Sequence, residues 1–331
     1  MNSRQRVSAV LNRENPDRIP RFEVWVDALY EELGVADPLS AHPELGQDNL
    51  LIPSQPPDGS NAWKDGLDEF GRVWKKGMYF SGMVRSYSDL KRFSPPPGYA
   101  LRFFNEGKST SLLSKFPDHF PFFGTHIGPF MNTYMAMGMS TMFRFLGKDK
   151  ALVKAVMENR TEWCLAVFKR AVELGAELIV LGDDAAHSGG PMISPALWEE
   201  LVLPFHQAIV EGLSVPVIWH SDGQMEKLLP YAVKAGFIGV HGLEPPAGNR
   251  LDILKAEFGD RLILVGNLDV NILCENDLEA VGAEVRRCIE QGGRSGYMLS
   301  TSNSIFPGMN PAAVRCYLEY ELTKWKNNRS Q

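Results

Sequence analysis

Short apolar runs recur along the chain, each followed by a longer stretch of helical periodicity. The runs lie at 19–26, 49–53, 121–127, 178–181, 216–219, 237–241, 261–265 and 297–300. Amphipathic helices are predicted between them, among others over 149–174, 195–213, 225–235 and 278–291. A continuous apolar run suits a strand buried on both faces, so the alternation predicts a parallel sheet covered by helices. Eight such units in 331 residues predict a closed (β/α)8 TIM barrel, α/β in class, after a short N-terminal helical extension. An open doubly wound sheet is the alternative. No GxGxxG follows the first strand, which weighs against it.

Residues 54–118 break the rhythm. They are rich in proline, glycine and aromatics, as in Pro56-Pro57-Asp58-Gly59 and Pro95-Pro96-Pro97-Gly98. They read as an insertion over the barrel mouth, with a small hairpin over 72–78 and 79–87, so residues 1–331 are expected to form a single barrel domain. The stretch 120–143 has no Asp, Glu, Lys or Arg and invites reading as a membrane span. Pro121, Gly124, His126, Gly128, Pro129, Asn132 and Thr133 interrupt it, so a buried strand and a buried helix are expected instead. Ser194-Pro195 is a helix start, and Pro204 should kink the helix that follows.

Composition narrows the partners. The net charge is −6 and the cations are scattered, so neither a nucleic-acid face nor a polybasic membrane patch is expected. Cys164, Cys274, Cys288 and Cys316 form no CxxC pair and suit a reducing cytoplasm. The N-terminal residues lead into an amphipathic stretch rather than an apolar one, so no signal peptide is expected.

In a barrel, chemistry sits at the C-terminal ends of the strands. Five consecutive predicted strands end in polar groups: Gly182-Asp183-Asp184, His220-Ser221-Asp222-Gly223, Gly242-Leu243-Glu244, Gly266-Asn267-Leu268-Asp269 and Ser300-Thr301-Ser302-Asn303-Ser304. His220 and Asp222 share one face of an extended segment. Asp183 and Asp184 point opposite ways, with Asp184 favoured inward and Asp183 free to cap a turn. Asp269 fits a helix cap as well as a site, and Glu244 fits a mouth carboxylate as well as loop surface. Asp184, Glu199 and His220 form a plausible zinc set with an open position. Against this, Glu199 falls on the polar side of its helix, where a solvated glutamate is the plainer reading.

The chain resembles the uroporphyrinogen decarboxylase superfamily over most of its length. The likeness is carried by Arg6-Val7 through Asn15-Pro16-Asp17-Arg18-Ile19-Pro20, by Asp48-Asn49-Leu50-Leu51-Ile52-Pro53, by Asn132-Thr133-Tyr134-Met135, by Gly266-Asn267-Leu268-Asp269 and by 305–311. The resemblance implies a (β/α)8 barrel that is either a decarboxylase or a corrinoid-dependent methyltransferase. Asp48 and Tyr134 match family active-site positions. The decarboxylases carry Arg-Gln-Ala-Gly-Arg on the first strand, where this chain has Trp25-Val26-Asp27-Ala28-Leu29, and a histidine where it has Asn303. An aromatic and an acid thus replace two cations that would clamp substrate carboxylates.

Thiol-dependent methyltransferases of the superfamily bind zinc through His-x-Cys and a later cysteine. Here the motif is His220-Ser221-Asp222, followed by Ser302 and Ser304. The resemblance therefore implies the branch that demethylates methyl ethers, notably methoxylated aromatics, with zinc on Asp184, Glu199 and His220. Asp184, Asp222 and Tyr134 would be catalytic, with Asp222 orienting His220, acting as general acid or replacing Glu199 on the metal, and Trp25, Asp48 and Asn303 would meet the substrate. The methyl acceptor would be a corrinoid carried by a partner protein, and the assembly is left open, a homodimer included. Trp25, Trp219, Tyr134, Phe130, Met135, Met137 and Met139 would line an aromatic slot, although core packing is the plainer reading of the Met and Phe residues. Two other readings stand beside this one: a metal-free carboxy-lyase using Asp48 and Tyr134, and a binding barrel without catalysis.

Overall fold

The apolar runs become parallel strands. The computed structural model describes residues 1–54, 65–95 and 98–320. Strands Asn49–Leu51, Phe120–Thr125, Ile179–Gly182, Val217–Ser221, Gly239–Gly242, Ile263–Leu268 and Tyr297–Thr301 form a seven-stranded sheet in chain order. Every pairing in it is parallel.

The first apolar run, 19–26, differs from expectation. It makes only the isolated bridges Arg21↔Leu299 and Val26↔Ile305. Its position is nonetheless that of the eighth strand. Phe22 N–H donates to the Leu299 carbonyl at 2.8 Å on one side, and Asp48 N–H donates to the Arg21 carbonyl at 2.9 Å on the other. The segment thereby joins the last strand to the first and closes the barrel. Its ladder is incomplete for local reasons. Pro20 has no N–H to give, and the Glu23 N–H goes to the Gln47 side chain at 3.0 Å.

Alternation along the strands sorts two cores. Phe22, Val24, Phe122, Val180, Ile218, Val265 and Met298 fill the barrel interior. Leu181, Val217, Trp219, Val240, Leu264 and Leu299 pack outward against the helices. Helix Ser3–Leu11 plugs the N-terminal end of the barrel, adding Val7 and Val10 to the inner cluster. The expected kink is a clean break: helices Pro195–Leu201 and Leu203–Glu211 meet at Val202, with Pro204 in the first turn of the second. The stretch 120–143 forms a strand and then helices Pro129–Met137 and Met139–Lys148. Among the described residues no helix is long and apolar enough to cross a membrane.

Within 54–118, the expected hairpin is Arg72–Lys75 with Met78–Gly82, joined by Gly66–Leu67 in a three-stranded antiparallel sheet. It leans on helix Pro129–Met137: Arg72 Nη1 donates to Asn132 Oδ1 at 2.9 Å, and Tyr79 OH donates to the Met135 carbonyl at 3.0 Å. That helix starts at the C-terminal end of its strand, so the insertion sits on the mouth side. Pro56-Pro57-Asp58-Gly59, Pro96 and Pro97 lie outside the described residues.

Candidate active site

Strand register assembles the site. In the ladder, His220 lies opposite Gly182 on one side and His241 on the other. Each histidine follows an outward-facing residue, Trp219 or Val240, so by alternation both rings point into the barrel mouth. Gly182 has no side chain to fill the space beside them, and His126 takes it. A Cβ on Gly182 would come within 2.8 Å of the His126 ring. Ligand atoms of His126, Asp184 and His220 all lie within 4.8 Å of one another. Trp25 packs against the group, its ring 4.3 Å from that of His126 and edge-on to His220 at 4.8 Å. Trp25 is itself held by its Nε1–H, which donates to the Gly124 carbonyl at 3.2 Å.

The two carboxylates of the strand end are separated by role. Asp184 Oδ1 accepts the Asp222 N–H at 3.1 Å and lies 3.9 Å from His220 Nε2. Asp183 faces away. It accepts the Phe130 and Met131 N–H groups and lies 2.8 Å from His206 Nε2, so it caps helix Pro129–Met137 from a neighbouring strand. Asp222 places Oδ1 3.6 Å from His220 Nε2 and accepts from Asn303 Nδ2 at 2.9 Å. Glu244 accepts the Gly223 N–H at 2.8 Å and so steadies the turn after Asp222. Asp269 caps the short 3-10 turn Val270–Cys274.

Burial dominates the electrostatics. It raises Asp184, against the opposing pull of His126. It also pushes Asp222 up to about 8, helped by the charges of Asp184 and Glu244 and opposed by Asn303. Asp27, near His126 and Ser304, is raised by burial as well. Burial holds His220 well below the usual imidazole range and His241 down to about 3. The Tyr134 phenol is raised by burial and then by the charges of Asp184, Asp183 and Asp222.

Three expected site residues lie elsewhere. Glu199 stands on the outer surface, half exposed and 2.8 Å from Lys234 Nζ; it does not approach His220. Its helix turn packs Trp198 and Leu201 inward, which leaves Glu199 on the solvent side. Asp48 is fully buried at the opposite end of the barrel, just ahead of strand Asn49–Leu51. There it accepts from Arg6 Nη1 at 2.6 Å and Arg18 Nη1 at 2.7 Å. Trp219 points outward and stacks between Trp198 and Phe237. His126 and His241 enter the site without having been singled out by the strand-end pattern. His126 was legible as the polar residue just past strand Phe120–Thr125.

Comparison with known proteins places this geometry in a family. Residues 69–321 match the family described as uroporphyrinogen decarboxylase (URO-D). The chain belongs to that family. A uroporphyrinogen decarboxylase of Geotalea daltonii is 30% identical over 71% of this chain and 69% of its own length. A methylated-thiol–coenzyme M methyltransferase of Methanosarcina mazei is 28% identical over 56% of this chain. The chain spans about half, 49%, of that methyltransferase's length. A solved methyltransferase structure from Methanosarcina mazei superposes with a TM-score of 0.79 at 18% identity, covering 96% of this chain and 97% of that one. At that identity the likeness speaks for the fold, a TIM-type barrel over nearly the whole chain.

Proposed function

We propose that this chain is a methyltransferase that moves a methyl group from an O-methyl donor, with methoxylated aromatics the favoured class, to a Co(I) corrinoid on a partner protein. The single observation that carries this reading is the donor set at the mouth. His126, Asp184 and His220 offer nitrogen and oxygen ligands without a thiol, beside the raised carboxyl of Asp222. Zinc holds ligands at about 2.0–2.2 Å, which puts tetrahedral neighbours roughly 3.4 Å apart. The present ligand atoms lie within 4.8 Å of one another, wider than that spacing, so the side chains would have to draw together to hold the ion. His126, Asp184 and His220 would hold the ion, with His126 replacing Glu199. Bound there, zinc would supply a Lewis acid towards the donor's ether oxygen.

The chain's own residues do the rest. Trp25 offers a flat wall for an aromatic donor. Tyr134 feels the charges of Asp184 and Asp222, and Asn303 orients Asp222. A partner's Co(I) corrinoid would supply the electron pair for the methyl carbon, and the pair of the broken carbon–oxygen bond would stay on oxygen. Asp222 would deliver the proton to that oxygen, so that a phenol leaves rather than a phenolate. Asp48 is tied up with Arg6 and Arg18 at the other end of the barrel, so the metal-free carboxy-lyase reading, which used it, loses support.

The test is spectroscopic. Methylation of a Co(I) corrinoid protein is followed against a panel of methyl ethers, methylamines and thioethers, alongside zinc content and CO2 release. Methylation from ethers by zinc-loaded enzyme is expected. Activity in zinc-free protein, or turnover of thioethers alone, would overturn the proposal.

A further inference from the structure

His241 makes no contact with the mouth carboxylates, yet it controls the ring that does. Its Nδ1 lies 2.8 Å from His220 Nδ1. Two nitrogens at that distance share one proton, so one donates and the other accepts. The far side of His241 decides which. There Nε2 lies 3.2 Å from the Thr301 carbonyl oxygen, an atom that only accepts. It also lies 3.3 Å from Ser300 Oγ, whose own proton goes to Glu23 Oε1. His241 Nε2 therefore carries hydrogen, and its Nδ1 is the bare acceptor. His220 must then hold its proton on Nδ1. Its remaining nitrogen, Nε2, is the one that faces Asp184 and Asp222.

We infer that His241 is a positioning residue: it locks His220 in the Nδ1–H tautomer and so presents the Nε2 lone pair to a metal ion. The inference rests on the metal-binding reading of His126, Asp184 and His220. A ligand histidine whose second nitrogen is held by a neighbour usually finds a carboxylate or a backbone carbonyl there. Here a second buried imidazole intervenes, and the backbone carbonyl of Thr301 sets the direction through it. Both rings are essentially without solvent contact, so no water competes for the shared proton.

Nitrogen-15 NMR of the metal-free full-length protein reads the tautomer directly. His220 should show a protonated Nδ1 and a bare Nε2. A second measurement is zinc affinity by chelator competition in His241→Phe and His241→Gln. The phenylalanine variant removes the acceptor and should weaken zinc binding about 10–100-fold. The glutamine variant keeps a carbonyl acceptor and should recover much of that loss. A protonated His220 Nε2 in the wild-type protein would overturn the inference, as would unchanged zinc affinity in folded His241→Phe. Should that variant fail to fold, the wild-type tautomer decides alone. Should the wild-type protein bind no zinc, the metal reading fails, while the tautomer still reports on His241.

Discussion

Asp222 and Glu199 are the two carboxylates whose removal separates the competing site assignments. Asp222→Asn keeps the size and the bond to Asn303 but removes the proton. It should lower kcat about 10²–10⁴-fold while leaving zinc content unchanged in a chelator-dialysed assay. Glu199→Ala should leave zinc content and turnover as they are, because Glu199 is surface-exposed beside Lys234. His126→Ala should lower zinc content, because its ring belongs to the cluster. Spacing could place His220 and Asp222 on one face, since two residues apart on a strand is a local property. It could not rank His126 against Glu199. Both are near polar strand-to-helix turns in sequence, and only the glycine opposite His220 shows which ring has room.

At the scale of elements, buried ionic ties hold the ends of the barrel. Asp48 joins helix Ser3–Leu11, through Arg6, to the loop that carries Arg18. Its side chain is fully buried and Arg6 nearly so. Without Asp48, Arg6 keeps Asp17 and Arg18 is partly exposed, but both lose a buried charged partner, so Asp48→Ala should cost about 1–3 kcal/mol of stability, read from urea unfolding. Turnover of the folded fraction should not change, since the site lies at the other end of the strands. The strands themselves were legible from apolar runs and the helices from their period. The run 19–26 was legible as a strand position too, but its irregularity was not, because that comes from Pro20 and from the Gln47 side chain reaching the Glu23 backbone across the fold.

For the whole molecule, closure of the barrel depends on Glu23. Its carboxylate accepts from the Thr301 backbone at 3.1 Å, from the Thr301 hydroxyl at 2.5 Å and from Tyr317 OH at 2.9 Å. It thereby ties the closing segment to the last strand and to helix Pro311–Glu319. Burial pushes its pKa up to about 7, against the bonds from Thr301, Tyr317 and Ser300. An unfolded glutamate titrates near 4.3. Between those values the folded protein holds a proton that the unfolded chain has lost. This contribution to stability is therefore full below about pH 4 and is lost as pH rises through about 7. Glu23→Gln should flatten that part of the stability profile, measured by denaturant melts at a series of pH values. An unchanged slope would show that Glu23 does not titrate in this window.

The sequence by itself determined the barrel, its strand-end chemistry and the inward choice of Asp184 over Asp183, because strand alternation and apolar burial are read from neighbours along the chain. Tertiary structure alone decided that His126 joins His220, that Asp48 is held at the other end of the barrel, and that His241 stands behind the site. The pairing of His220 with Gly182 and His241 depends on register between strands distant in sequence. A shift of one residue there would turn those side chains to the other face.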